Sequence, residues 1–271
     1  MVRLVVCDID NTIVPKHKQP SEGTIRCIRE FNKRGIMFGF ASGRSTDMLR
    51  DLAKQWNVRC DILIGNNGGE YQDEITGEHD IFPKLTCEDL EEIFKIMEPF
   101  KDQVNVQMFV NDVRYVRRLD EATMESVRYR HMPMPVVVSD ESVFWSRPAY
   151  KVGFRTPAEI MKDVEAEVAK HPSTRFKGFK TEFTMFEFTP VNCEKGDMLI
   201  RFCKSHNIPI KDAWAFGDMT NDISLIKEAG VGVCLENGSD DAKAVADIIT
   251  EESIEDDGFA KFVEKHILNE N

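Results

Sequence analysis

Asp8 and Asp10 stand one residue apart, just beyond a short apolar run, Leu4 to Val6, that reads as a β-strand feeding a loop. Carboxylates converging on one small volume repel each other unless a cation or a shared proton relieves them. A hard divalent metal suits such oxygen donors. In an acidic chain, an isolated Asp-x-Asp is more often a solvated loop, so the weight falls on its partners.

Three further segments supply them. Phe40-Ala41-Ser42-Gly43-Arg44 closes a second apolar run, Ile36 to Ala41, with a hydroxyl, a glycine and a cation, which are groups able to hold a phosphate oxygen. Glu194-Lys195-Gly196 brings an ammonium to the expected start of a helix. Gly217-Asp218-Met219-Thr220-Asn221-Asp222 ends a third apolar run, Ala213 to Phe216, with two more carboxylates and an amide. Each segment falls at a strand end or a helix start, and open α/β sheets collect their ligands beyond the carboxyl ends of the strands.

In this order the four segments resemble the motifs of the haloacid dehalogenase superfamily of phosphohydrolases, and the chain is most similar to the Cof-like branch with a type II (IIB) cap. The likeness spans nearly the whole length. It includes Gly65-Asn66-Asn67-Gly68-Gly69, Glu187-Phe188-Thr189-Pro190 ahead of Lys195, and Ala246-Asp247-Ile248-Ile249 followed by Asp257-Gly258. One departure is Asn11, where the family commonly has glycine; asparagine tolerates a left-handed backbone better than most residues.

The resemblance implies a role for each residue. Asp8 is the expected nucleophile, which attacks a phosphoryl group to form an acyl phosphate. Asp10 is the expected general acid and base. Asp8, Asp10 through its backbone carbonyl, Asp218 and Asp222 are the expected Mg2+ site, Asp222 directly or through water. Ser42, Gly43, Lys195 and Asn221 are expected to hold phosphate oxygens or to orient the group that does. Thr12 is expected to fix the loop by a hydroxyl bond to backbone.

The implied activity is a magnesium-dependent phosphatase acting on small phosphorylated metabolites, sugar phosphates first. Two alternatives stay open: a phosphotransferase or phosphomutase using the same aspartates, and a regulator that binds phosphometabolites without turnover.

Composition agrees. A formal net charge of −12 disfavours a nucleic-acid partner, which needs a basic face. The 7 cysteines are scattered with no Cys-x-x-Cys pair, so neither a disulfide framework nor a zinc site is expected. That points to a reduced, cytoplasmic protein. No stretch is apolar for long enough to cross a bilayer, and the sequence is silent on oligomeric state.

The 6 histidines (His17, His79, His131, His171, His206, His266) lack metal-ligand spacing and read as surface or loop residues. Trp56, Trp145 and Trp214 read as packing residues, and Arg114, Arg117 and Arg118 as a solvated strand face.

The elements that must position these residues are read from capping and period. Ser21 to Arg34, stopped by Gly35, and Ser45 to Trp56 read as helices, as do Lys195 to Asn207 and Asn221 to Ala229. Alternation of strand and helix predicts an α/β core, a Rossmann-like doubly wound parallel sheet, from residues 1–79 and 188–271. Residues 80–187 are expected to form an inserted α+β cap. Its expected elements are a helix from Thr86 to Phe100, strands Val104 to Val110 and Tyr150 to Phe154, and a helix opened by a capping box at Thr156-Pro157-Ala158-Glu159.

Overall fold

The computed structural model describes every residue except 16, 17, 83, 111, 112, 130–132, 270 and 271. In chain order its strands are β1 (Leu4–Cys7), β2 (Met37–Ala41), β3 (Ile62–Gly65), β4 (Glu70–Asp73), β5 (His79–Ile81), β6 (Asn105–Val110), β7 (Val113–Val116), β8 (Val136–Val137), β9 (Val152–Arg155), β10 (Phe176–Glu182), β11 (Met185–Pro190), β12 (Ala213–Gly217), β13 (Val231–Cys234) and β14 (Ile248–Ile249). The α-helices are α1 (Glu22–Arg34), α2 (Thr46–Trp56), α3 (Cys87–Met97), α4 (Glu121–Tyr129), α5 (Met161–Ala169), α6 (Lys195–Ser205), α7 (Ile223–Glu228), α8 (Asp240–Lys243) and α9 (Gly258–Val263).

Two compact units result: Met1–Phe82 with Cys193–Asn271, and Pro83–Asn192. Their edges lie a few residues beyond the expected 79/80 and 187/188. β5 still pairs with β4 in the first sheet, and β11 is held between β9 and β10 in the second.

The first unit is built on the sheet β14-β13-β12-β1-β2-β3-β4-β5. Pairing is parallel from β14 to β3 and antiparallel through β4 and β5. Successive side chains of a strand point to opposite faces. Val5 and Cys7 of β1 therefore pack with Phe31 of α1, Trp56 of α2 and Phe259 of α9, while Leu4 and Val6 pack with Leu199 of α6 and Leu225 of α7. Helices cover both faces, so each parallel strand is apolar throughout, and the chain has the expected doubly wound α/β core.

Local signals set the helix ends. Ser21 and Ser45 cap α1 and α2 through side-chain oxygens that accept from Thr24 N and Met48 N. Gly35 closes α1 at φ 72°. The Asn221 helix opens as a 3-10 turn, Thr220–Asp222, before α7.

In the second unit, the sheet β10-β11-β9-β6-β7-β8 is antiparallel except at β7–β8 and is covered by α3 and α5 through a core that includes Phe94, Phe154, Phe188 and Val164. Two expectations are corrected here. Thr156 does not cap a helix: its hydroxyl donates to Phe154 O, and Pro157 precedes a 3-10 turn without a side-chain cap. The capping box lies instead at Thr86, whose hydroxyl accepts from Asp89 N while Asp89 accepts from Thr86 N. Arg114 is not on a solvated face; it is buried, donating to Ser126 Oγ and Gln107 Oε1 at 2.8 Å each. Arg117 pairs with Glu141 and donates to Lys101 O, and Arg118 donates to Gln103 O.

Trp56 packs edge-on against Phe40, Trp145 against Phe94 and Trp214 against Phe262, as packing residues do. His17 and His131 lie outside the described residues. His206 is more than a surface residue: it stacks on Phe202 and its Nε2 lies 2.7 Å from Asp73 Oδ2.

Candidate active site

The parallel register brings the sequence segments together. Cys7 of β1 lies between Phe40 of β2 and Phe216 of β12. The residues that follow on each strand, Asp8, Ser42 and Asp218, therefore emerge at one edge of the sheet. β1 is also where the strand order reverses, and such a switch point opens a crevice.

Asp8 begins a tight loop whose backbone is closed on itself. Asn11 sits at φ 65°, the left-handed conformation that glycine would take there, and its N–H reaches Val14 O at 2.8 Å. Thr12 does not bond to backbone as expected. Its hydroxyl donates to Asp218 Oδ1 at 2.8 Å, tying the first motif to the last.

Lys195 opens α6 and is fully buried. Its ammonium donates to Asp8 Oδ1 at 2.7 Å and to Asp222 Oδ1 at 2.6 Å. The other Asp222 oxygen accepts from Asp218 N at 3.0 Å and Met219 N at 3.1 Å, so both oxygens of this carboxylate are engaged. Two glycines permit the approach. Gly68, at φ +98°, lies so close to the Glu194 backbone that a Cβ would sit 2.5 Å from its carbonyl carbon, and a Cβ on Gly217 would sit 2.4 Å from the Asp222 Cβ.

Asp8, Asp218 and Asp222 each offer an oxygen within 4.8 Å of the others, and all three are buried. Three carboxylates face one ammonium, so the cluster carries excess negative charge. Burial, with Asp222 and Asp10 adding to it and Lys195 opposing, pushes the Asp8 carboxyl up to about 7. Burial and the neighbouring Asp222 and Asp8 raise Asp218 well above the usual carboxylate range. Burial alone would lower Lys195, but Asp222 and Asp8 outweigh it and hold the ammonium firmly protonated. Among the described residues, Asp8 Oδ2 and Asp218 Oδ2 receive no protein hydrogen bond.

The remaining candidates flank this cluster. Ser42 is buried; its Oγ accepts from Arg44 N at 3.4 Å, and its carbonyl accepts from Asn67 N at 3.0 Å. Gly43 is half-buried beside it. Asn221 Nδ2 donates to Asn67 Oδ1 at 3.2 Å, and among the described residues its own buried Oδ1 has no hydrogen-bond partner. The Asp10 side chain stands apart from the acidic cluster and is gripped by Arg44, whose Nη2 lies 2.8 Å from Oδ1 and 2.9 Å from Oδ2.

Asn67 and the Arg44–Asp10 pair went unread as contacts in the sequence. The signal for Asn67 was there: Asn66 and Asn67 adopt φ 48° and 57° ahead of Gly68, a run of residues suited to the left-handed region.

Residues 5–263 match the model of the haloacid dehalogenase-like hydrolase family. The chain is 25% identical to the 5-amino-6-(5-phospho-D-ribitylamino)uracil phosphatase YcsE of Bacillus subtilis, covering 98% of this chain and 96% of that one. It is 27% identical to a phosphoglycolate phosphatase of Methanopyrus kandleri, over 98% and 97% of the two chains. Among solved structures, a subclass IIB sugar phosphatase aligns at a TM-score of 0.80 with 19% identity, covering 97% of this chain and 98% of that one. The chain thus belongs to the haloacid dehalogenase-like hydrolases, and both of these curated relatives are named phosphatases. Among the described residues no helix is long and apolar enough to cross a membrane.

Proposed function

We propose that the chain hydrolyses phosphate monoesters of small metabolites, sugar phosphates foremost, with Mg2+ and through a phosphorylated Asp8. The observation that carries this reading is the buried Asp8–Lys195–Asp222 chain of charge-assisted bonds with Asp218 alongside. It gathers a nucleophile, a fixed cation and oxygen donors in excess of their cations.

The cluster fits a hard divalent ion. Its donors are all carboxylate oxygens, two of them lack protein partners among the described residues, and burial with mutual repulsion disfavours the charge they carry. Asp8 and Asp218 would hold Mg2+ together with the Asp10 carbonyl, and Asp222, whose oxygens are already engaged, would act through water or by placing Lys195. The bound ion supplies positive charge that offsets the repulsion between anionic nucleophile and anionic substrate.

An Asp8 oxygen bonds to phosphorus as the ester P–O bond breaks, and Asp10 gives its proton to the departing alkoxide. Water then attacks phosphorus, Asp10 takes its proton, and the Asp8–phosphate bond breaks to release inorganic phosphate. Lys195 and Ser42, with the Gly43 amide, stabilise the phosphoryl oxygens in both steps. The relatives named for phosphoglycolate and a phosphoribityl compound support a small organic phosphate as substrate.

The test is inorganic phosphate release from a panel of sugar phosphates, nucleotides and an aryl phosphate, with Mg2+ or chelator, for wild type and Asp8→Asn. Activity that survives Asp8→Asn sinks the mechanism. Isomerised monophosphate from a sugar bisphosphate, without free phosphate, would replace hydrolysis by a mutase reaction.

A further inference from the structure

The carboxylates of the acidic cluster do not all have oxygens left to give. Asp222 has neither, since Oδ1 accepts from Lys195 and Oδ2 from Asp218 N and Met219 N. Asp8 has Oδ1 on the Lys195 ammonium at 2.7 Å, and Asp218 has Oδ1 on the Thr12 hydroxyl at 2.8 Å. Among the described residues, each of these two therefore keeps Oδ2 alone without a protein donor. The Asp218 backbone is pinned as well: its N–H donates to Asp222 Oδ2 at 3.0 Å, and its carbonyl accepts from Ser239 N at 2.7 Å and Ser239 Oγ at 3.3 Å. Its side-chain torsions are then the freedom that remains, and the bond from Thr12 settles them. Thr12 has no exposed surface and Asp218 is 2% exposed, so little water competes for that bond.

We propose that Thr12 sets the ion preference of the cluster: by occupying Asp218 Oδ1 it leaves a cation one oxygen of that carboxylate, which favours a small octahedral ion over a large one. Thr12 is thus a positioning residue acting through Asp218, and the inference rests on the reading of the cluster as a divalent-metal site. Mg2+ demands a near-ideal octahedron of oxygens and keeps several of its waters, so single oxygens from Asp8 and Asp218 suit it. Ca2+ accepts more oxygens in looser geometry and commonly draws both from one carboxylate. Asp218 could offer both only by giving up Thr12, which would leave a buried hydroxyl unpaired. A residue that merely tied the two loops together would not distinguish the two ions.

The experiment measures dissociation constants of Mg2+ and of Ca2+ by titration calorimetry, without substrate, for wild type, Thr12→Val and Thr12→Ser. Thr12→Val keeps the shape of the side chain and removes the hydroxyl. The expected result is Mg2+ binding weaker by about 10-fold with Ca2+ binding unchanged or tighter, so that the ratio moves toward Ca2+ by at least that factor. Thr12→Ser, which keeps the hydroxyl, should hold the wild-type ratio. Equal factors for the two ions in Thr12→Val, or no change for either, would overturn the proposal. If Thr12→Val does not fold, difference infrared spectra of the wild type, ion-loaded minus ion-free, carry the test. The spacing of the carboxylate stretches should report single-oxygen ligation with both ions, and a two-oxygen spacing with Ca2+ would overturn it. A wild type that binds neither ion, or an Asp218→Asn protein that binds Mg2+ as the wild type does, would instead remove the metal-site reading itself, which separates the two failures.

Discussion

Lys195→Met removes the only ammonium bonded to the acidic cluster among the described residues while keeping a side chain of similar length. Wild-type Nζ is 2.7 Å from Asp8 and 2.6 Å from Asp222, with no exposed side-chain surface. Two carboxylate oxygens within 4.8 Å of each other repel by roughly 3 kcal/mol at an effective dielectric of about 20. Breaking a buried ion pair by deleting one partner costs about 3–5 kcal/mol by comparison with other proteins, and that is the loss expected here.

For a domain of this size each kcal/mol moves the midpoint by about 2–4 °C, giving a fall of roughly 6–20 °C in chelator. Trp56 and Trp214 belong to this unit and Trp145 to the other, so unfolding followed by tryptophan fluorescence in a Trp145→Phe background reports on the right structure. Lys195→Met/Asp222→Asn, which removes opposite charges together, should lose less than the sum of the single changes, with a coupling of about 1–3 kcal/mol. A Lys195→Met loss below about 1 kcal/mol, or strict additivity, would refute the claim that the ammonium is what compensates the buried carboxylates.

Mg2+ at about 100 times its dissociation constant should stabilise the protein by about 2.7 kcal/mol, seen as a rise in melting temperature that Asp218→Asn abolishes; an undiminished rise in that variant would place the ion elsewhere. Gly68→Ala should cut phosphatase activity sharply, because its Cβ meets the Glu194 backbone next to Lys195; steady-state kinetics at unchanged Mg2+ decide it.

Asp73 should matter to acid stability. Burial pushes its carboxyl up, but bonds from His206 and from Thr76 and Ile75 outweigh that and hold it below the usual range. A lowered carboxylate contributes stability that is present above the unfolded value of about 3.9 and lost as pH falls through the folded one. Asp73→Asn should therefore lose about 1–3 kcal/mol at neutral pH and show a flatter decline below pH of about 4, measured by urea midpoints across pH. Thr86→Ala should destabilise the second unit by about 0.5–2 kcal/mol through loss of its cap, read from Trp145 fluorescence.

Short-range chemistry was legible in the sequence. The apolar runs before Asp8, Ser42 and Asp218 are parallel strands buried on both faces, and such strands can only read as continuous apolar stretches. Ser21, Ser45 and Gly35 marked helix ends because the cap is made within a few residues of itself. Those signals, in the order of the four motifs, were enough for the α/β class, the family and the residues that gather at the site.

The tertiary structure decided what each side chain touches. Thr12 finds Asp218 across 206 residues, Lys195 finds Asp8 across 187, and Arg44 finds Asp10 across 34. None of these partners is implied by local sequence, because each contact depends on the order in which strands enter the sheet. Arg114 is buried for the same reason: its partners Ser126 and Gln107 sit on a helix and a neighbouring strand, and a strand's own alternation does not say which of its faces a later helix will cover. Thr156 shows the converse, a capping sequence overruled when its hydroxyl found the Phe154 carbonyl first.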